Sequence, residues 1–300
     1  MTLAAAAPID FAADRAAVGA ALSRLAADGL ALDAGAVAES VRYALGGEGK
    51  RLRAVLLLAA YRAAGGTADA SALAAAVEVV HAYSLVHDDL PCMDDDDMRR
   101  GRPTVHKVHG VAAATAAGLV MVPLAARLAT DAAMALGLDR HAVADVVRTL
   151  MRASGAGGMV GGQLLDLEGE GRSLTLPELE RVHRLKTGAL IAASVRIGAL
   201  AARANDRVTG ALDRIGAAIG LAFQIADDLL DVTATSDELG KTAGRDLALQ
   251  KSTYPALLGI DEARERAESL CTDACMALAD AGIQSPALEQ LARHIVHRRS

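Results

Sequence analysis

The sequence predicts an all-α protein, and three observations carry that reading. Alanine, the residue that forms helix most readily, dominates the chain. Aromatic residues are 2% of the total and proline occupies only 7 positions, and the residue types that favour strands are nowhere concentrated. Long stretches, such as 72–86 and 190–202, place apolar residues at helical spacing. On the order of ten or more helices follow. Turn chemistry marks breaks at 46–49, 65–66, 91–103, 169–177, 233–249 and 282–286. No low-complexity linker and no short repeat divides the chain, so residues 1–300 read as a single large helical domain.

With 300 residues, 52% of them apolar, the chain can bury a large core. A net charge of −6 argues against nucleic acid as a partner. The three cysteines, Cys92, Cys271 and Cys275, are odd in number and fit no zinc spacing, which points to a reducing compartment. The N-terminus carries Asp10 and Asp14 but no early base, unlike a secretory signal. The longest uncharged run, 110–126, is too short to span a bilayer and reads as a core helix. A cytoplasmic protein without a membrane span is therefore expected.

Two acidic motifs stand out. In the first, His87-Asp88-Asp89-Leu90-Pro91-Cys92-Met93-Asp94-Asp95-Asp96-Asp97, six carboxylates fall within ten residues. Such crowding costs stability unless cations neutralise it. The second is Phe223-Gln224-Ile225-Ala226-Asp227-Asp228-Leu229-Leu230-Asp231, where the acids sit inside an apolar stretch. On a helix Asp227 and Asp231 lie about 40° apart, with Gln224 on the same side. Together the motifs predict two acidic helix ends facing one cavity. So many hard oxygen ligands suit Mg2+ with open positions for a diphosphate, and no His/Cys cluster serves zinc.

Basic groups accompany them. Gly46-Gly47-Glu48-Gly49-Lys50-Arg51-Leu52-Arg53 is a glycine-rich turn followed by bases, without the Walker ending. Arg99 and Arg100 follow the first acidic motif. Lys186-Thr187 lies in an apolar helical segment. Lys241 and Lys251 flank a basic loop after the second motif, placed to close as a lid. His81 precedes Asp88 by seven residues, two helical turns along one face and about 10 Å away.

Over residues 43–258 these motifs, in this order, resemble the trans-prenyltransferase family of farnesyl and geranylgeranyl diphosphate synthases, with the bacterial farnesyl branch most similar. Gly49-Lys50-Arg51-Leu52-Arg53 resembles the first basic motif. Residues 88–94 resemble the first aspartate-rich motif in the version with two extra residues, here Pro91-Cys92. Gly161-Gly162-Gln163, Lys186-Thr187-Gly188, residues 224–231 and Lys251-Ser252-Thr253-Tyr254-Pro255 complete the match. The resemblance implies an isoprenoid-synthase-type helical bundle around a deep central cavity, usually a homodimer, with three Mg2+ ions. It implies that Asp88 and Asp94 hold two ions and Asp227 the third, supported by Asp89, Asp228 and Asp231. It gives Lys50, Arg53, His81 and Arg100 to isopentenyl diphosphate, with Gly49 among the substrate-binding residues. Arg99, Lys186, Gln224 and Lys241 go to the allylic substrate or its diphosphate, Thr187 and Lys251 join the substrate-binding residues, and Arg99, Lys186 and Lys241 count with the six aspartates as catalytic groups.

The implied reaction condenses isopentenyl diphosphate with dimethylallyl or geranyl diphosphate. The allylic C–O bond breaks as cations stabilise the leaving diphosphate, the isopentenyl double bond attacks, and a proton is lost, all in a cavity that must exclude water. Family resemblance puts the chain-length floor at Tyr83, predicting a C15 product, whereas a helical wheel places Ser84 nearer the face of Asp88. Gly118-Leu119-Val120-Met121 departs from the usual Gly-Asp-Ala-Leu, and Ala54 and Glu48 replace a usual Pro and Gly. An apolar Leu119 alters helix packing, the subunit interface or the pocket wall. The rival readings are a geranylgeranyl or geranyl synthase, a class I terpene cyclase, and a non-catalytic synthase subunit.

Overall fold

The computed structural model describes residues 10–29, 35–47, 49–233 and 251–298. Among them lie fourteen α-helices, α1 (Ala12–Arg24), α2 (Ala36–Leu45), α3 (Leu52–Ala63), α4 (Ser71–Asp88), α5 (Val105–His109), α6 (Val111–Ala135), α7 (Arg140–Ser154), α8 (Met159–Gly169), α9 (Leu176–His183), α10 (Ala189–Ala201), α11 (Asp206–Thr233), α12 (Tyr254–Leu258), α13 (Ile260–Asp280) and α14 (Pro286–His297). Strand structure among these residues is one two-residue antiparallel ribbon, β1 (Met98–Arg99) against β2 (Arg102–Pro103). Five-residue π-helical segments extend α1 (Leu25–Gly29) and join α9 to α10 (Arg184–Gly188).

The apolar sequences of α4 and α10 explain their central position. A helix that is hydrophobic nearly all round must be covered on every side. Leu73, Val77, Val79 and Val80 of α4 and Leu190, Ile191, Val195 and Ile197 of α10 are fully buried. α4 packs on α6 and α3, and α10 packs on α3, α7 and α11. A second body of core joins α3 and α11 to α13 and α14 through Leu56, Ile215, Leu278 and Leu291. These layers hold the C-terminal ends of α4 and α11, and with them both acidic motifs.

Local chemistry starts the helices where the chain needs them. Asp139 accepts bonds from His141 N and Ala142 N at 2.9 and 3.0 Å and caps α7. Thr175 and Glu178 form a capping box at α9. Ser285, followed by Pro286 at the first helical position, caps α14. Turns also fall at 136–139, 155–158 and 202–205, three breaks that the turn residues did not single out.

α6 contains the core helix expected for residues 110–126 but is longer. It runs on through Arg127 and Asp131 for 25 residues and is, by length and composition, long and apolar enough to cross a membrane. It packs against α4, α2 and α7, with Ala117, Met121 and Ala125 buried. Leu119 is 65% exposed on the opposite face, so it is not part of an internal pocket wall.

Candidate active site

The first acidic motif is folded back on itself at the end of α4. Asp94 N donates to Asp88 O at 2.9 Å, so the two extra residues curl the chain until Asp94 returns to Asp88. Burial, only partly opposed by Lys186 and added to by Asp94, pushes the Asp88 carboxyl up to about 6. Asp89 turns the other way. It is 3% exposed, and its Oδ1 accepts two bonds from Arg99, from Nε at 2.9 Å and from the terminal nitrogen at 2.5 Å. Arg99 also reaches Asp96 at 3.0 Å, so one guanidinium ties the helix end to the acidic loop. Asp95, Asp97 and His106 offer ligand atoms within 4.8 Å of one another, with Lys107 on Asp97 at 2.7 Å.

The second motif is built into the last turns of α11. Asp228 is 2% exposed and is held by Gln224 Nε2 at 3.1 Å, by Tyr254 N at 3.0 Å and by His183 Nε2 at 3.1 Å. The His183 ring stacks on Tyr254, with centroids 5.7 Å apart. Asp231 is buried one turn on. Asp227 is 40% exposed and pairs with Arg298 at 3.0 Å.

Cations surround both motifs. Lys186 lies in the π-helical turn and Lys251 precedes α12, yet both reach Asp166 of α8, at 2.6 and 3.0 Å. Burial alone would raise Asp166, but the two ammonium groups outweigh it and hold the carboxyl below its usual range. The approach is close because Gly162 has no side chain; a Cβ there would sit 2.1 Å from Lys186 N. Lys186 influences Asp88 and Lys251 influences Asp94, so this triad faces the first motif.

The basic turn before α3 is arranged around Glu78, a buried carboxylate of α4. Glu78 accepts from Ala54 N at 3.2 Å and lies 3.5 Å from Arg51, which fixes the start of α3. Burial pushes Arg53 down to about 10, with Arg100 and Arg298 adding to the effect against Glu78 and Asp227. Burial and the same neighbouring bases lower Lys50. Arg100 reaches within 3.4 Å of His81 Nε2. Burial, then Arg53 and Arg100, hold His81 well below its ordinary value, so it is a neutral hydrogen-bonding group beside the bases. An adjoining cavity of about 460 Å³ is lined by Arg51, His81, Asp89, Arg99 and Arg100 among others.

Most of the sequence-predicted residues thus either act on one another electrostatically or brace the motifs. Asp88, Asp94, Lys186 and Lys251 act on one another electrostatically, and Asp227, Lys50, Arg53, Arg100 and His81 form a second set that meets the first at Arg99. Asp89, Asp228 and Gln224 make bonds inward and brace the motifs. Thr187 is half-buried in the π-helical turn. The Ser84 hydroxyl turns back to His81 O at 2.8 Å. Tyr83 is buried edge-on against His87 at 5.2 Å, and burial, together with Asp88, raises its hydroxyl. Lys241 and Glu48 lie outside the described residues. Sequence reasoning missed Glu78, Asp166, His183 and Arg298. For Glu78 the available signal was a lone acid inside the apolar run of α4; for Asp166, an acid three residues after Gln163.

The donor set fits magnesium. Two carboxylates held together at Asp88 and Asp94, one with its proton affinity raised by burial, are ionised most readily when a hard cation neutralises them.

The comparisons with known proteins agree. The sequence model of the polyprenyl synthetase family matches residues 35–281. The farnesyl diphosphate synthase of Escherichia coli (strain K12) is 48% identical over 267 residues, covering 87% of this chain and 89% of that one. The chloroplastic geranylgeranyl pyrophosphate synthase of Catharanthus roseus is 45% identical over 263 residues, covering 87% and 73%. The crystal structure of an FPP/GFPP synthase from Zymomonas mobilis superposes with a TM-score of 0.81 at 35% identity, covering 94% of this chain and 98% of that one. With its all-α fold and paired aspartate motifs, the chain belongs to the polyprenyl synthetase family.

Proposed function

We propose that this chain is a short-chain prenyl diphosphate synthase that condenses isopentenyl diphosphate with dimethylallyl or geranyl diphosphate to give farnesyl diphosphate. One observation carries the reading. Asp88 and Asp94 are folded together at the end of α4, and the Asp166-anchored lysines Lys186 and Lys251 face them. Acids and bases so placed serve a metal-bridged diphosphate, the family's use of Mg2+.

Asp88, Asp94 and Asp227 would hold Mg2+, three ions in all. Bound there, the metal supplies charge stabilisation to the departing diphosphate. Lys186 and Lys251 add positive charge on the allylic side, pre-oriented by Asp166. Arg53, Lys50 and Arg100, with His81 as a neutral donor or acceptor, bind the diphosphate of isopentenyl diphosphate. Arg99 holds Asp89 so that Asp88 keeps its aim. Gln224 serves first as a brace of Asp228, and Asp231 supports the motif from within. No side chain needs to act as a nucleophile.

Tyr83, buried against His87, forms the floor that stops growth at C15. The apolar residues left on the surface of α6, Val111, Leu119 and Met134, support a homodimer whose interface includes that face. A cytoplasmic location matches the three unpaired cysteines.

The test is incubation of the purified chain with Mg2+, isopentenyl diphosphate and dimethylallyl diphosphate. C15 product upholds the reading, C20 or C10 moves it to another short-chain synthase, a cyclic hydrocarbon moves it to a cyclase, and absence of turnover leaves a non-catalytic subunit. Asp88→Ala and Asp227→Ala each abolish turnover with the fold retained, as circular dichroism will show. Tyr83→Ala gives longer chains by chromatography.

A further inference from the structure

Arg298 lies 71 residues from the second acidic motif in sequence, yet its side chain is 9% exposed and sits on that motif. α14 delivers it: Leu288, Leu291 and Ile295 bury one face of that helix against the core that includes Ile215 and Ile219 of α11. Three contacts then fix the guanidinium. Its plane covers the Phe223 ring at 4.0 Å. One terminal nitrogen donates both to Phe223 O at 3.2 Å and to Asp227 Oδ1 at 3.0 Å. Phe223 precedes Asp227 by one helical turn, so the guanidinium bridges backbone and side chain of the same turn. Its own Nε is buried without a hydrogen bond, a cost accepted only where the rest of the geometry demands that position.

We infer that Arg298 is a positioning residue for metal binding: by holding Oδ1 it fixes the rotamer in which the Asp227 carboxylate would meet Mg2+. A ligating carboxylate is commonly held by a second group that sets its orientation. A planar fork clamped on an aromatic ring sets direction in a way a lysine ammonium does not. The C-terminal helix thereby becomes part of the active site. The inference rests on the assignment of Asp227 as a metal ligand, and the experiment separates the two.

Mn2+ binding to the full chain with inorganic pyrophosphate, read by loss of the free-ion electron paramagnetic resonance signal, compares wild type, Arg298→Gln, Arg298→Lys and Asp227→Asn, with thermal melts confirming folding. Arg298→Gln weakens one Mn2+ site about tenfold or more, the same site that Asp227→Asn removes, and Arg298→Lys restores only part of the loss. Should Arg298→Gln fail to fold, Arg298→Lys carries the test, with a smaller weakening of that one site expected. Unchanged Mn2+ affinity in a folded Arg298 variant overturns the inference and leaves Arg298 a structural clamp. Tighter Mn2+ binding also overturns it, by showing that the guanidinium competes with the metal. If Asp227→Asn itself leaves every Mn2+ site intact, the assignment of Asp227 fails first.

Discussion

The two acidic motifs use the same pair of adjacent aspartates in different ways. At the first, Asp88-Asp89 ends α4 and opens into a loop; at the second, Asp227-Asp228 lies within α11. In both, the second aspartate is almost fully buried, at 3% and 2% exposure, while the first is only half-buried. The braces differ in kind. Asp89 is held by one ion pair to a partly exposed Arg99. Asp228 is held by a network from three elements: a neighbour on its own helix, a histidine of α9 and the first backbone N–H of α12. An ionic brace on a loop can yield to a ligand, whereas a buried network fixes the helices it joins.

That contrast predicts unequal consequences for the same substitution. Asp228→Ala leaves His183, Gln224 and Tyr254 N without their shared acceptor in the interior, at about 1–3 kcal/mol for each buried donor left unsatisfied. A melt will show a large fall in Tm, and a fall no greater than that of a surface mutant would refute the network. Asp89→Ala releases an Arg99 that is one-third exposed and can be rehydrated. Its stability loss is accordingly smaller, about 1–2 kcal/mol, while turnover falls because Arg99 is no longer tied to the end of α4. Equal losses in the two variants would erase the distinction between the braces.

The Asp166 triad sharpens the comparison, because it is an ionic brace that holds two lysines rather than an arginine. Asp166 is held below its usual range, so folding favours its ionised form. Its stabilising contribution is therefore complete above the unfolded carboxylate pKa of about 4 and drains away as pH falls through the lower folded value. Asp166→Asn removes this contribution: the difference in Tm between wild type and variant is greatest near neutrality and closes in acid. It also loosens Lys186 and Lys251, and kcat drops about tenfold or more with little change in the melt at low pH. A difference in Tm that grew in acid would reverse the assigned sign.

What the sequence revealed follows from how far apart the interacting groups are. The helical periodicities at 72–86 and 190–202 are local, and α4 and α10 appear there in the structure. All the turn-rich breaks within the described residues are breaks in the fold. The turn at 202–205 escaped because its strained residue is Arg203, with φ 57°, rather than a glycine. Both aspartate motifs are contiguous and announced themselves. The groups that orient them are not contiguous: Asp166 is 20 and 85 residues from its lysines, and Arg298 is 71 from Asp227. The different surroundings of Asp88 and Asp89 were implied by the motif's resemblance alone, since the two are chemically identical until one is buried against Arg99.

The smallest predicted effect concerns a residue with no charge at all. Gly49 precedes α3 beside Arg100, and a Cβ at that position would lie 2.5 Å from Arg100 Nη1. The clash is with the far end of a flexible side chain, so Gly49→Ala is relieved by swinging Arg100 away, and stability changes by no more than about 0.5 kcal/mol. The displaced guanidinium no longer sits beside His81, where isopentenyl diphosphate is proposed to bind. Loss of one charge-assisted hydrogen bond of about 1.5 kcal/mol raises the KM for isopentenyl diphosphate about tenfold. The KM for the allylic substrate stays where it was, because Lys186 and Lys251 are anchored on Asp166 and not on this turn. Steady-state kinetics with each substrate varied in turn decides the matter: a rise confined to the allylic KM would place Arg100 on the other side of the cleft.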